Sequence, residues 1–129
     1  MTVGMPAATG DVLSAAMYNG LVAFTPNTQT GVTYTAVATD QYQTLVTMNY
    51  ATANTFKIPT NATAAMVTGT VITVLNLGAG VCTISAVTSG TTTVVSAGAV
   101  SASPTLAQYK TAACIKTGTD TWVICGAIS

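Results

Sequence analysis

The sequence contains very few charged side chains and lacks arginine, glutamate and histidine altogether. Charged residues make up 5% of the chain, where about a quarter is usual. Without histidine, neither a Ser-His nor a Cys-His nucleophile pair can form. Only three carboxylates are available for the pair that glycoside hydrolysis usually requires. We therefore expect no enzymatic activity and no catalytic residues.

The remaining absences limit partners and cofactors. Lysine supplies all three basic residues, too few for a nucleic-acid backbone, so we expect no nucleic-acid partner. Cys82, Cys114 and Cys125 show no CxxC spacing, which predicts free, buried thiols and no metal site or cofactor. No apolar run approaches about 18 residues, and the first residues include no basic side chain, so neither a membrane span nor a secretory signal is expected.

What the chain does contain is apolar and β-prone. Half of its residues are hydrophobic, and threonine and alanine together exceed a third of the 129 residues. Branched side chains such as threonine suit a pleated surface. The net charge is zero, which normally leaves a monomer poorly soluble. We therefore expect a homo-oligomer, or a larger assembly, that covers much of the surface.

Residues 1–31 are predicted to form an N-terminal attachment segment. Within residues 9–21, Thr9 or Asp11 can cap a short helix, and Asn19-Gly20 can end it. Two helical turns are too short to be stable alone, so the apolar stripe must rest on another surface. The polar linker at residues 24–31 follows. The candidate attachment residues on this stripe are Val12, Leu13, Ala16, Met17 and Leu21.

Residues 32–129 are predicted to form one β domain, because the apolar pattern changes to a period of two. About eight short strands with regular turn signals favour an all-β fold, either an antiparallel β-sandwich or a small barrel. Residues 70–87 are interpreted as a hairpin with a turn at Gly78 and Gly80.

The stretch "CIKTGTDTWVIC" at residues 114–125 is interpreted as a closing hairpin with the loop at Thr117–Asp120. In this register Ile115 lies opposite Trp122, and Cys114 lies opposite Val123. Trp122 and Tyr42 have two interpretations: they pack in the core or rim, or they form an aromatic platform for a host glycan.

Three stretches together resemble a known β-rich module: "LVTMNYATANTFKIPTNAT" (45–63), "GTVITVLNLGAGVCTISA" (69–86) and "IKTGTDTWVICG" (115–126). The module recurs in virion proteins of tailed bacteriophages, often at the ends of tail fibres and other surface appendages. The matching positions are Asn49, Ala53, Asn54, Pro59, Gly69, Gly78, Gly80, Ile84, Lys116, Gly118, Thr119, Asp120, Trp122 and Gly126.

The resemblance implies a trimeric virion component without a catalytic residue. Since only some thirty residues precede the β region, we expect a capsid decoration or cement protein, or a short head fibre. Its expected partners are sister subunits and other virion proteins such as the major capsid protein. The alternative is a tail-tip or tail-fibre adhesin that binds a host receptor or glycan. The expected location is the virion surface, after assembly in the host cytoplasm.

Overall fold

The computed structural model describes residues 14–15, 25–42, 45–100 and 102–129. These residues form eleven short β-strands and one short 3₁₀ helix at Ala38–Gln41. The strands, in chain order, are β1 (Asn27–Gln29), β2 (Thr33–Thr35), β3 (Leu45–Met48), β4 (Asn54–Ile58), β5 (Val71–Asn76), β6 (Cys82–Ala86), β7 (Thr93–Ser96), β8 (Ala99–Val100), β9 (Thr105–Leu106), β10 (Thr111–Gly118) and β11 (Thr121–Gly126).

The strands form two sheets that share one apolar core. The larger sheet has the order β1-β3-β5-β10-β11-β7-β8, and the smaller has the order β2-β4-β6-β9. The prediction of a β fold is confirmed, but the expectation of antiparallel sheets is wrong, because both sheets are mixed. Strands β1, β3 and β5 run parallel in one sheet, as do β2, β4 and β6 in the other.

The parallel pairs arise because the chain alternates between the two sheets. Each of the first three strands of the larger sheet is followed by a strand of the smaller sheet. Val46 pairs with Val74, and Thr55 pairs with Thr83, so the offset is 28 residues in both sheets. The segment from β3 to β4 therefore stacks residue by residue on the segment from β5 to β6, as successive repeats do in solenoid proteins.

Residues 70–87 therefore do not form the predicted hairpin. Strand β5 belongs to the larger sheet and β6 to the smaller one, and the glycines lie in the bend between the sheets. A Cβ atom at Gly78 would overlap the backbone of Tyr50, and one at Gly80 would overlap the backbone of Thr52. Glycine is needed here for close backbone approach between stacked bends, rather than for a hairpin turn.

The core follows from the alternation of side chains along each strand. Inward positions are apolar on both sheets, for example Met48 and Ile72 on the larger sheet and Phe56 and Ile84 on the smaller one. The buried apolar residues are Ala36, Val46, Met48, Phe56, Ile58, Met66, Ile72, Val74, Cys82, Ile84, Val94, Leu106, Ala112, Cys114, Trp122 and Ile124. They form a single cluster, so the two sheets are layers around one core.

The closing hairpin exists as predicted, but its register is shifted by one residue. Lys116 lies opposite Trp122, Ile115 lies opposite Val123, and a β-bulge between Lys116 and Gly118 absorbs the extra residue. Because side chains alternate between the two faces of a strand, a one-residue shift changes which side chains of the two strands share a face. Lys116 and Trp122 consequently share the buried face, whereas the predicted register separated them.

The N-terminal predictions fall largely outside the described residues. Of the predicted helix at residues 9–21, only Ser14 and Ala15 are described. The candidate attachment residues Val12, Leu13, Ala16, Met17 and Leu21 also lie outside the described residues. Residues 27–29, which the sequence assigned to the linker, form β1 and pair with β3.

Candidate functional site

A buried lysine lies at the centre of the most distinctive polar cluster. Lys116 occupies an inward position on β10 and is only 2% exposed. Its Nζ atom donates hydrogen bonds to Asn61 Oδ1 at 2.6 Å and to the Met66 carbonyl at 2.7 Å. The Nζ atom also lies 5.9 Å from the centroid of the Trp122 ring, within reach of a cation–π interaction. We call Lys116, Asn61, Met66, Asp120 and Trp122 the Lys116 cluster.

Asp120 is the acidic member of the cluster, and it contacts Asn61 rather than the lysine. Its Oδ1 atom accepts a 2.7 Å hydrogen bond from the Asn61 backbone N–H and a longer one, at 3.4 Å, from Thr92 Oγ1. Asp120 lies in the loop between β10 and β11, and Asn61 lies in the turn after β4. The cluster therefore joins the closing hairpin to a loop 55 residues earlier.

The surroundings of Lys116 favour its uncharged form relative to a lysine in water. Burial lowers the pKa of Lys116, while the negative charge of Asp120 acts in the opposite direction and limits the shift. The two contacting oxygens belong to neutral groups, an amide and a backbone carbonyl. The result is an amine that is held in place by neutral acceptors in a largely dry environment.

A second polar cluster ties the first strands together around Asp40, which is buried. Asp40 Oδ1 accepts from Asn27 Nδ2 at 2.9 Å, and Asp40 Oδ2 accepts from Tyr34 OH at 2.6 Å and from the Val37 backbone N–H at 2.9 Å. Burial and the hydrogen bond to Asp40 raise the pKa of Tyr34 to about 12. This arrangement satisfies the carboxylate and holds β1, β2 and the 3₁₀ helix together.

The two candidate glycan residues lie in different environments. Tyr42 is 60% exposed and directly follows the 3₁₀ helix, whereas Trp122 is 3% exposed and packs in the core. The structure therefore does not bring them together as one exposed aromatic platform. Trp122 instead contributes its ring to the Lys116 cluster, which leaves Tyr42 as the surface aromatic of the pair.

Besides Tyr42, the surface carries apolar side chains that the sequence pattern did not single out. Tyr109 is 72% exposed, and Val67 and Val100 are each 68% exposed. We call the exposed large apolar residues of the described chain the apolar surface set; they are Val32, Val37, Tyr42, Val67, Val71, Val81, Val87, Val100 and Tyr109. Single exposed apolar residues are ordinary, but here very few charges lie between them.

A shallow cavity of about 270 Å³ opens beside the smaller sheet. Lys57 is the single charged residue among its lining residues, which otherwise include Ser85, Ser89 and Thr92.

The described residues include no group of three or more potential metal ligands. Among the same residues, no helix is long and apolar enough to cross a membrane.

The three cysteines are free thiols in two kinds of environment. Cys82 and Cys114 are buried in the core as predicted, but the prediction of a buried thiol is wrong for Cys125, which is exposed. Burial raises the pKa of Cys82 from 9.0 to about 11 and raises that of Cys114 as well. A buried thiolate would lose its hydration, so the folded chain retains these protons to higher pH than the unfolded chain does.

The buried thiols predict a loss of stability in alkali. Folding raises the pKa values of both buried thiols, so their contribution to the unfolding free energy is fully present below pH 9. It is lost as the pH rises, for Cys82 towards about 11. Between pH 8 and 10 we expect each thiol to lower the unfolding free energy by about 1 kcal/mol. The measurement is urea unfolding at both pH values for the natural chain, for Cys82→Ala and for Cys125→Ala.

The comparison of variants isolates the thiol. The cavity left by Cys82→Ala lowers stability at both pH values, so the readout is the pH-dependent difference. Lys116 acts in the opposite direction, because a lowered pKa makes stability rise with pH, but it is present in all three chains. Cys82→Ala should reduce the alkaline loss more than Cys125→Ala does, because Cys82 is buried and Cys125 is exposed. An equal loss in all three chains would contradict the assignment.

No known protein family, curated protein or solved structure matches this chain.

Sequence reasoning missed most of the site. The sequence pattern places Asp120 in a loop and does not indicate that Asp40 or Asn61 belongs to a polar cluster. One signal was available for Lys116, since a lysine lies among alternating inward-facing apolar residues on β10. No local signal pointed to Asn61, which is brought to the lysine by the fold.

Proposed function

We propose that this chain is a non-enzymatic structural protein of a tailed-bacteriophage virion that decorates or cements the capsid surface, or forms a short head fibre. The observation that carries the proposal is the apolar surface set on a chain with zero net charge. Such a surface favours coverage by other subunits, because each square ångström of apolar area removed from water stabilises the assembly by about 25 cal/mol. The resemblance at residues 45–63, 69–86 and 115–126 supports a virion context.

The proposed assembly is a homotrimer on the virion surface, formed in the host cytoplasm and bound to the major capsid protein or another virion protein. A symmetric oligomer uses the same surface patch on every subunit, so a few exposed side chains are buried several times over. Tyr109 and Val100 are among the most exposed of these side chains and are candidates for such contacts. In this proposal the polar clusters stabilise each subunit, and the apolar surface set binds its neighbours.

Residues 1–31 are proposed to attach the subunit to the particle through Val12, Leu13, Ala16, Met17 and Leu21. The short predicted helix needs a surface to rest on, and a capsid protein supplies one. Because β1 begins at Asn27, a deletion of residues 1–24 keeps all the strands that the structure describes.

We expect the full chain to bind particles that lack it, and the chain without residues 1–24 not to bind. Both chains are purified, mixed with such particles and separated by sedimentation. The double variant Leu13→Ser with Met17→Ser tests the apolar stripe without shortening the chain, and Ala15→Ser is its matched control. Circular dichroism checks that the truncated chain keeps its β signal. Binding of the truncated chain at the level of the full chain would contradict the attachment role.

The alternative proposal is a tail-tip or tail-fibre adhesin that binds a host receptor or glycan. The observation in its favour is the 60% exposure of Tyr42, whose ring could stack on a sugar. An adhesin would bind host cells as a free protein, and Tyr42→Ala would remove that binding. Binding to particles but not to host cells favours decoration.

A further inference from the structure

The Lys116 cluster places a buried amine against a side-chain amide. Lys116 Nζ lies 2.6 Å from Asn61 Oδ1, and the Met66 carbonyl holds the same nitrogen at 2.7 Å. Oδ1 is bonded to Cγ, so the amine is held next to the carbonyl carbon of the amide. An exposed lysine and asparagine would rarely share such a position, because two flexible side chains lose rotamer freedom when they meet.

We propose that Lys116 and Asn61 form an intramolecular isopeptide bond. Nζ attacks Cγ of Asn61, a new Nζ–Cγ bond forms, and the Cγ–Nδ2 bond breaks. One proton passes from Nζ to the departing Nδ2, which leaves as ammonia. The atoms balance between a primary amine with a primary amide on one side and a secondary amide with ammonia on the other. No oxidant, reductant or further reactant is required.

Fixed placement is the main contribution of the fold to this step. Amines and amides do not react measurably in water at neutral pH, but well-oriented intramolecular reactions reach effective concentrations of about 10⁵ M or more. The two contacts on Nζ restrict its position, and Lys116 is almost wholly excluded from water. Repeated chances for attack over the life of a folded chain allow a slow step to reach completion.

The surroundings also favour the reactive form of the amine. A protonated amine has no lone pair and cannot attack, and burial lowers the pKa of Lys116. The carboxylate of Asp120, which accepts from the Asn61 backbone N–H at 2.7 Å, lies beside the reacting residue. We assign Asp120 a positioning role, because this hydrogen bond holds Asn61 in place against the lysine.

The product fits the site better than the starting pair. The bond removes a positive charge from the interior. Burying such a charge is costly when no ionic partner is in direct contact with it. It also closes a covalent loop between positions 55 residues apart, which restricts the unfolded chain as a disulfide does. A particle surface protein would gain resistance to unfolding without needing an oxidising environment.

The test uses the natural full-length chain and its mass. The intact chain should weigh less than its sequence mass by one ammonia. Trypsin cuts after lysine, and the chain's lysines are Lys57, Lys110 and Lys116. The bond blocks cleavage at Lys116, so residues 58–110 should be recovered joined to residues 111–129. Recovery of the separate peptides 111–116 and 117–129, with an unchanged intact mass after prolonged incubation at mildly alkaline pH, would overturn the proposal.

Four variants assign the bond to its residues. Asn61→Ala should have its full sequence mass, and Lys110→Arg, a matched change at an exposed lysine, should still lose ammonia. Loss of ammonia from Asn61→Ala would overturn the assignment to that residue. Asp120→Ala removes the acceptor of the Asn61 N–H and should react at least tenfold more slowly when followed by mass after refolding. Asp120→Asn keeps an accepting oxygen and should restore most of the rate. A rate for Asp120→Ala equal to that of the natural chain would overturn the positioning role.

Discussion

Replacing Gly80 by alanine is expected to lower the unfolding free energy by about 4 kcal/mol or more, or to prevent folding altogether. The added Cβ atom would overlap the carbonyl group of Thr52 in the bend stacked against it. The Thr52 atoms belong to the backbone, and the position of the Cβ atom is fixed by the backbone of residue 80. Neither can move aside by changing a rotamer, so the bends must separate. The measurement is urea unfolding followed by the fluorescence of Trp122, the single tryptophan, which is buried.

Gly90→Ala is the matched control. A Cβ atom at Gly90 meets nothing within 4 Å, so this substitution should change stability by about 0.5 kcal/mol or less. The pair separates steric overlap from the general effect of removing a glycine. Equal stability of Gly80→Ala and Gly90→Ala would show that the bends are not stacked as described. The parallel pairing of β3 with β5, and of β4 with β6, would then be wrong.

Asn76→Ala is expected to lower the unfolding free energy by about 3–5 kcal/mol. Asn76 is fully buried at the end of β5, where its Nδ2 donates to the carbonyls of Gly80 and Leu106 at 2.8 and 2.9 Å. Its Oδ1 accepts from the Gly78 backbone N–H at 3.1 Å. Alanine would remove the side-chain donor from both carbonyls, would leave the Gly78 N–H with only its longer 3.3 Å bond to the Met48 carbonyl, and would open a cavity beside them.

Asn49→Ala gives the control, since Asn49 is exposed just after β3. Its replacement should change the unfolding free energy by about 0.5 kcal/mol or less. Both variants are measured by urea unfolding under the conditions used for the glycine pair. If Asn76→Ala were as stable as Asn49→Ala, the side chain would not be holding the bend between the sheets.

The sequence was sufficient to locate most strands, because their side chains alternate between apolar and polar. Strand β4, for example, alternates buried and half-buried residues from Asn54 to Ile58. It was not sufficient to pair the strands. The parallel partners in β3 and β5, and in β4 and β6, lie 28 residues apart, and most of them differ in residue type; for example, Met48 pairs with Asn76 and Phe56 with Ile84. A stacked arrangement with so few identical residues leaves no repeat to detect.

The site was missed for a related reason. The bulge at Thr117 shifts the closing hairpin by one residue, and nothing in "KTGTD" distinguishes a four-residue loop from a tighter loop with a bulge. The predicted register therefore placed Lys116 away from Trp122. Asn61 reaches the lysine because the fold packs a loop from 55 residues earlier in the chain against β10. Local patterns carry no information about such a contact.

The most direct test of the proposed virion role is the imaging of purified particles together with a count of this chain in them. A decoration or cement protein occupies a repeated surface lattice, so we predict hundreds of copies per particle, in threefold clusters on the capsid. The count comes from quantitative mass spectrometry against the major capsid protein, and the position comes from electron microscopy. A handful of copies at the tail tip would favour the adhesin, and the absence of the chain from purified particles would contradict the virion role itself.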